Sequence, residues 1–110
     1  MLFQIGQHRF LFPGDLEASG ERWLIKQNAL SPVTVTLAPH HGSNTSSTPA
    51  FIKATAPKHV LFSVGRNNRH NFPKPDVVKR WQQSGAGLWR TDQNGTLIFQ
   101  SDGTTLRTPK

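Results

Sequence analysis

The stretch Val33-Thr34-Val35-Thr36-Leu37-Ala38-Pro39-His40-His41-Gly42-Ser43 decides how this chain is read. Val33, Val35 and Leu37 alternate with Thr34 and Thr36, the period of a half-buried strand, and Pro39 ends the ladder because it has no N–H to donate. The two histidines therefore sit on a loop at a strand's carboxyl end, just ahead of a glycine turn. Upstream, Phe10-Leu11-Phe12-Pro13-Gly14-Asp15 repeats the arrangement with a carboxylate. Two strands ending alike place Asp15 and His41 at one rim of a sheet, and imidazole with carboxylate is a donor set suited to zinc, manganese or iron.

Working outward, the pattern predicts an opening hairpin, residues 2–5 and 9–12 about a turn at Gly6-Gln7, then a helix over 18–28. In that helix Trp23 and Leu24 are expected to face the sheet, with Glu17, Glu21 and Lys26 in water. Thr48 is a natural N-cap with Pro49 at the first helical position, opening a short helix that stops before Pro57. Residues 59–64 read as a buried strand. Asp76 opens a helix whose apolar face is Val77, Val78 and Trp81, stopped by Gly85, and Lys79 and Arg80 make its polar face basic. Residues 87–90 and 96–100 are expected to form a hairpin over Asp92-Gln93-Asn94-Gly95, since Asn-Gly is a strong turn signal. Ser101-Asp102-Gly103 turns the chain into a last strand at 104–108. Strands alternating with helices predict an α/β (α+β) domain, a mixed sheet with helices on one face.

A chain of 110 residues with 35% hydrophobic residues makes one domain with a modest core. No apolar run approaches the roughly 20 residues of a membrane span, and no basic-then-apolar leader is present, so the chain as given is expected to be soluble. The absence of cysteine excludes thiolate metal sites and disulfides. Net charge is +7 and the sequence pI about 11.0, which makes polyanions the first partners to consider. Arg66, Arg69, His70 and Lys74 crowd one loop beside Asn67, Asn68 and Asn71.

Four segments in order, Phe10 to Glu17, Pro39 to Ser43, Phe62 to Arg69 and Arg90 to Gly95, resemble the second half of a metallo-β-lactamase-fold domain of the ComEC type. That is the extracytoplasmic domain attached to the competence DNA-uptake channel, and the resemblance covers nearly the whole chain. It implies half of an αββα sandwich, with residues 1–110 as the C-terminal portion and with the N-terminal half and any membrane spans outside it. It further implies a metal-dependent hydrolase, a nuclease acting on DNA, in a membrane-associated parent on the extracytoplasmic or periplasmic side. Divalent zinc or manganese, two ions in the complete domain, is the implied cofactor. DNA, the other half-domain and a membrane channel domain are the implied partners. Two departures stand out: the His-x-His-x-Asp-His cluster of the fold is absent, and Asn71-Phe72-Pro73-Lys74-Pro75 replaces a Gly-His-Pro-His-Pro loop. The fragment alone is thus expected to be inactive, and marginal or self-associating through an uncovered sheet face. The alternatives are a noncatalytic DNA-binding remnant or a metallo-β-lactamase-fold hydrolase of another substrate, since fold alone does not decide the chemistry.

The candidate catalytic residues are Asp15, His40 and His41, with Asp15 and His41 as metal ligands. Asp15 is implied to bridge, although an aspartate before a helix also serves as an N-cap. His40 serves a second metal, substrate phosphate or structure. Arg66, Arg69 and Lys74 are the candidate nucleic-acid contacts. Residues 43–47 offer neutral donors near the rim. His8 is expected in solvent, His59 in packing, and Trp89 next to Arg90 is a weaker candidate for stacking on nucleic acid.

Overall fold

In the computed structural model, which describes residues 1–109, five strands form one sheet in the order β1-β2-β3-β4-β5. β1 (Leu2–Ile5) runs antiparallel to β2 (His8–Leu11), and β3 (Val35–Leu37), β4 (His59–Phe62) and β5 (Gly87–Arg90) follow parallel to β2. Each parallel step is bridged by a helix: α1 (Ala18–Lys26), α2 (Pro49–Thr55) and α3 (Pro75–Gln83). Crossovers of one hand stepping one strand at a time keep all three helices on one face. The α+β sheet with helices on one face agrees with the sequence reading.

Strand alternation sorts the side chains. Thr36, Val60 and Leu88 share a row on the helical face, and Phe62 joins them. There they meet Phe51, Ile52, Val77 and Trp81 in the core. The opposite face carries Phe10, Val35, Leu37, Leu61 and Trp89 by the same register.

The helices are locked together at the Ser46-Ser47-Thr48 turn. Glu21 is 0% exposed, and its two carboxylate oxygens accept from the Ser47 and Thr48 amides at 2.6 and 2.8 Å. From α3, the Trp81 indole donates to the Ser47 hydroxyl at 3.1 Å, and the Arg80 guanidinium donates to the Ser47 and Ser46 carbonyls at 3.0 and 3.2 Å. Thr48 then caps α2 by accepting from the Phe51 amide.

Several expectations are corrected here. Glu21 is buried rather than wet, and Trp23, about 200° further around α1, is 60% exposed instead of facing the sheet. Arg80 is a structural donor, not part of a free basic face. Ser46 and Ser47 are buried and bonded inside the fold, so they offer no donors at the rim. His8 is 8% exposed and its Nδ1 lies 2.5 Å from the Ser101 hydroxyl.

The hairpin predicted after β5 does not form. Asn94 takes the Arg90 amide with its side chain at 2.9 Å, Arg90 folds back onto Asp92 through two bonds of 3.0 and 2.7 Å, and Thr91–Asn94 make one helical turn, α4. Gly95, at φ +71°, ends that turn rather than a hairpin. Leu97 and Phe99 instead lie over the opposite sheet face, lining a cavity of about 200 Å³ with Phe10, Val35, Leu37 and Leu61. The last strand is shorter than expected: β6 (Gln100–Ser101) pairs with β7 (Leu106–Arg107) around the Asp102 turn. Phe3 remains 52% exposed and Phe12 40%. No helix among the described residues is long and apolar enough to cross a membrane.

Glu21→Ala strands two buried N–H groups and should cost about 3 kcal/mol or more, while Glu21→Gln, which keeps one acceptor oxygen, should cost roughly half. Denaturant midpoints at unchanged m-value measure this. An Ala variant as stable as the parent sequence contradicts the role given to Glu21.

Candidate active site at the sheet edge

Because β2, β3 and β4 are parallel, the loops leaving their carboxyl ends share one edge, the usual place for a ligand crevice in such sheets. Asp15 follows β2, His40 and His41 follow β3, and Ser63, Val64 and Gly65 follow β4. With Asn68, His70 and Phe72 they line an open cleft of about 490 Å³.

His40 and His41 adopt left-handed backbone angles, φ +51° and +57°, each costing of order 1–3 kcal/mol for a non-glycine residue. Tertiary bonds hold the turn. The His40 amide donates to the Gly14 carbonyl at 2.8 Å and the Lys74 amide to the Gly42 carbonyl at 3.0 Å. Gly42 has φ +87°, and a Cβ there would meet the Pro73 Cβ at 2.5 Å, so only glycine fits.

The result is a directed imidazole. His41 Nδ1 lies 2.9 Å from the Ser63 carbonyl, which can only accept, so Nδ1 carries the proton and Nε2 points the other way. Nε2 is 3.6 Å from the Asp15 carboxylate. With Nδ1 protonated, the unprotonated Nε2 and a carboxylate oxygen, both electron-pair donors, face each other across that gap. Two ligands at about 2.1 Å around a tetrahedral ion stand about 3.4 Å apart, close to the spacing found. Among the described residues no group of three metal-ligating side chains forms, so the pair does not by itself make a complete metal site. His40 turns aside, with Nδ1 3.4 Å from the Thr45 hydroxyl and 3.9 Å from Glu17. Glu17, not Asp15, occupies the α1 N-cap position, which leaves the Asp15 carboxylate exposed at the cleft.

The loop after β4 is built by residues the sequence reading passed over. Thr91 pins Val64 by accepting its amide at 2.8 Å and donating to its carbonyl at 2.7 Å. Asn68 staples the far side: it accepts the Phe72 amide and donates to the Phe72 carbonyl, both at 2.7 Å, and donates to the Gly65 carbonyl at 3.0 Å. One asparagine of the three on this polar loop, Asn67, Asn68 and Asn71, carries no signal of this in sequence. Arg66 and Arg69 are exposed on that loop without lining the cleft, and Lys74 stands 5.7 Å over the Phe72 ring. Phe72 also meets His40 edge-on and stacks with His70.

His59 and Trp89 lie on the opposite sheet face. The Trp89 indole donates to His59 Nδ1 at 3.2 Å, and Phe99 packs on both rings. That contact puts His59 in packing, as expected, and gives the Trp89 indole N–H a partner within the fold.

The fold and site define an α+β domain with a histidine–carboxylate cleft at the carboxyl edge of its parallel strands. No family model matches the chain. Over 97 residues, 88% of this chain, it is 33% identical to ComE operon protein 3 of Bacillus subtilis, and the match covers 12% of that protein. It is 38% identical over 97 residues, 86% of this chain, to Competence protein ComA of Neisseria gonorrhoeae, covering 14% of it. Recombination protein 2 of Haemophilus influenzae is 30% identical over 97 residues, 88% of this chain and 12% of that protein. The chain thus spans about an eighth of the length of these curated relatives.

Burial, and secondly Lys58, lower the His59 pKa from its ordinary 6.5. A lowered folded pKa means the unfolded chain binds the proton more readily, so stability is complete above about 6.5 and falls as pH drops through the folded value. Thermal melts between pH 7.5 and 5 should show this decline, and His59→Phe should flatten it. A decline undiminished in that variant assigns it to other groups.

Proposed function

We propose that this chain supplies one rim of a metal-dependent phosphodiester-hydrolysing site that acts on DNA during competence uptake, within a metallo-β-lactamase-type domain of a longer membrane-associated protein. The observation that carries this reading is the His41–Asp15 pair, with Nδ1 held by the Ser63 carbonyl and Nε2 turned to the carboxylate. Its spacing and donor chemistry fit part of a zinc or manganese ligand set. When bound, such an ion supplies Lewis acidity toward a water and a phosphate oxygen. The names of the relatives support a place in competence, and the charge of +7 supports a polyanion as substrate.

In this reading Asp15 and His41 hold metal, and His40 stays within reach of substrate phosphate. Arg66, Arg69 and Lys74 attract the DNA backbone from the loop that walls the cleft. The remaining ligands come from beyond this chain, as does the partner for the apolar strip at Phe3 and Phe12. The lack of a third ligand among the described residues, together with Phe72 in the loop, favours a second reading: a DNA-binding module without turnover.

Titration calorimetry of the chain should find weak binding of Mn²⁺ or Zn²⁺. Nuclease activity is expected only after fusion to the stretch preceding its counterpart in ComE operon protein 3. In that fusion Asp15→Asn and His41→Ala should each lower metal occupancy and rate at least tenfold. Full metal and full rate in Asp15→Asn refute its assignment as a ligand, and metal binding without cleavage in the intact fusion favours the binding module.

DNA affinity should fall with salt at a log–log slope of about −0.9 per duplex phosphate contacted, or about −0.7 on a single strand. Arg66→Ala with Arg69→Ala should flatten that slope by one to two contacts' worth. An unchanged slope places the DNA elsewhere on the protein.

A further inference from the structure

We propose that the cleft takes an unpaired nucleobase, with the stacked rings of His70 and Phe72 as its platform. The proposal rests on the nucleic-acid reading above and adds which part of the polymer the cleft recognises. His70 and Phe72 lie 5.1 Å apart between ring centroids at an interplanar angle of 23°, and both line the cleft that holds Asp15 and His41.

Phe72 is the fixed member of the pair. Asn68 clamps its amide and its carbonyl, the His40 ring meets it at 5.9 Å, and the Lys74 ammonium stands 5.7 Å away. His70 is the presented member. It is exposed and makes no hydrogen bond among the described residues; one face of its ring lies on Phe72 and the other meets solvent.

A flat, already ordered π surface beside cationic side chains is what base stacking requires, and the ordering cost is met before the ligand arrives. In a duplex both faces of each base are covered by neighbours, so the platform selects single-stranded or extruded bases. Arg66 and Arg69, on the same loop, would then follow the backbone. Every base has a π face, so the preference is for an unpaired base rather than for a sequence.

The test is fluorescence anisotropy of the full chain with an oligothymidylate and with an abasic strand of equal length, at one salt concentration. The base-bearing strand should bind about 5- to 100-fold more tightly. His70→Ala should remove most of that margin and leave abasic binding unchanged, while His70→Phe, which keeps a ring without the imidazole, should retain it. Phe72→Ala should behave as His70→Ala does; His70, being exposed, keeps the test sound if the Phe72 variant fails to fold. Arg66→Ala with Arg69→Ala should weaken both strands alike. Equal affinity for the two strands, or equal losses on both in His70→Ala, overturns the platform and leaves the polyanion reading standing. Failure to bind either strand overturns both.

Discussion

The buried carboxylate of Glu21 is the constraint on which the rest of this fold depends. Its two oxygens take the amides of Ser47 and Thr48, and the same short turn receives the Trp81 indole and the Arg80 guanidinium from α3. Three helices meet on one turn of backbone. A buried charge is costly unless its bonds are satisfied, and here satisfying it also fixes where α2 begins. The turn is also tied to the approach to α1, through Ser46 on the Leu16 carbonyl and the Ala18 amide on the Thr45 carbonyl. The carboxylate therefore sets, at one remove, the loop on which Asp15 stands.

The cleft inherits its order from those ties. Two successive histidines in left-handed backbone would not hold that shape alone. They are kept by the Gly14 carbonyl on one side and by the Lys74 amide on the other, with Gly42 close against Pro73. Once the turn is fixed, a carbonyl of the next strand's loop sets the His41 tautomer. Backbone supplies both the strain and the orientation.

The two faces of the sheet differ in kind. One is closed by helices over Phe51, Phe62, Val77 and Trp81, all fully buried. The other is covered by the chain's own Leu97 and Phe99 near the centre and stays apolar and open toward β1. Phe3 and Phe12 remain exposed on that open edge.

Much of this was legible in the residues. Alternation marked β3 and an apolar run marked β4, although the ladders cover only Val35–Leu37 and His59–Phe62 of the expected 33–37 and 59–64. Thr48-Pro49 marked the start of α2, and the pattern of apolar strand followed by Asp or His marked which residues would reach one rim, because period and capping are local properties of the chain. What the sequence could not show depends on contacts distant along it. Glu21 reads as a solvent-facing glutamate until the turn 26 residues on is folded against it. The Asn-Gly signal at 94–95 lost to an asparagine side chain that captured the Arg90 amide, and Asn68, Thr91 and the Ser63 carbonyl gained their roles only when loops from separate strands came together. Strand period and caps are decided within a few residues, whereas the orientation of an imidazole and the burial of a carboxylate are decided by whichever backbone groups the fold brings within 3 Å of them, as the Ser63 carbonyl is to His41 at 2.9 Å.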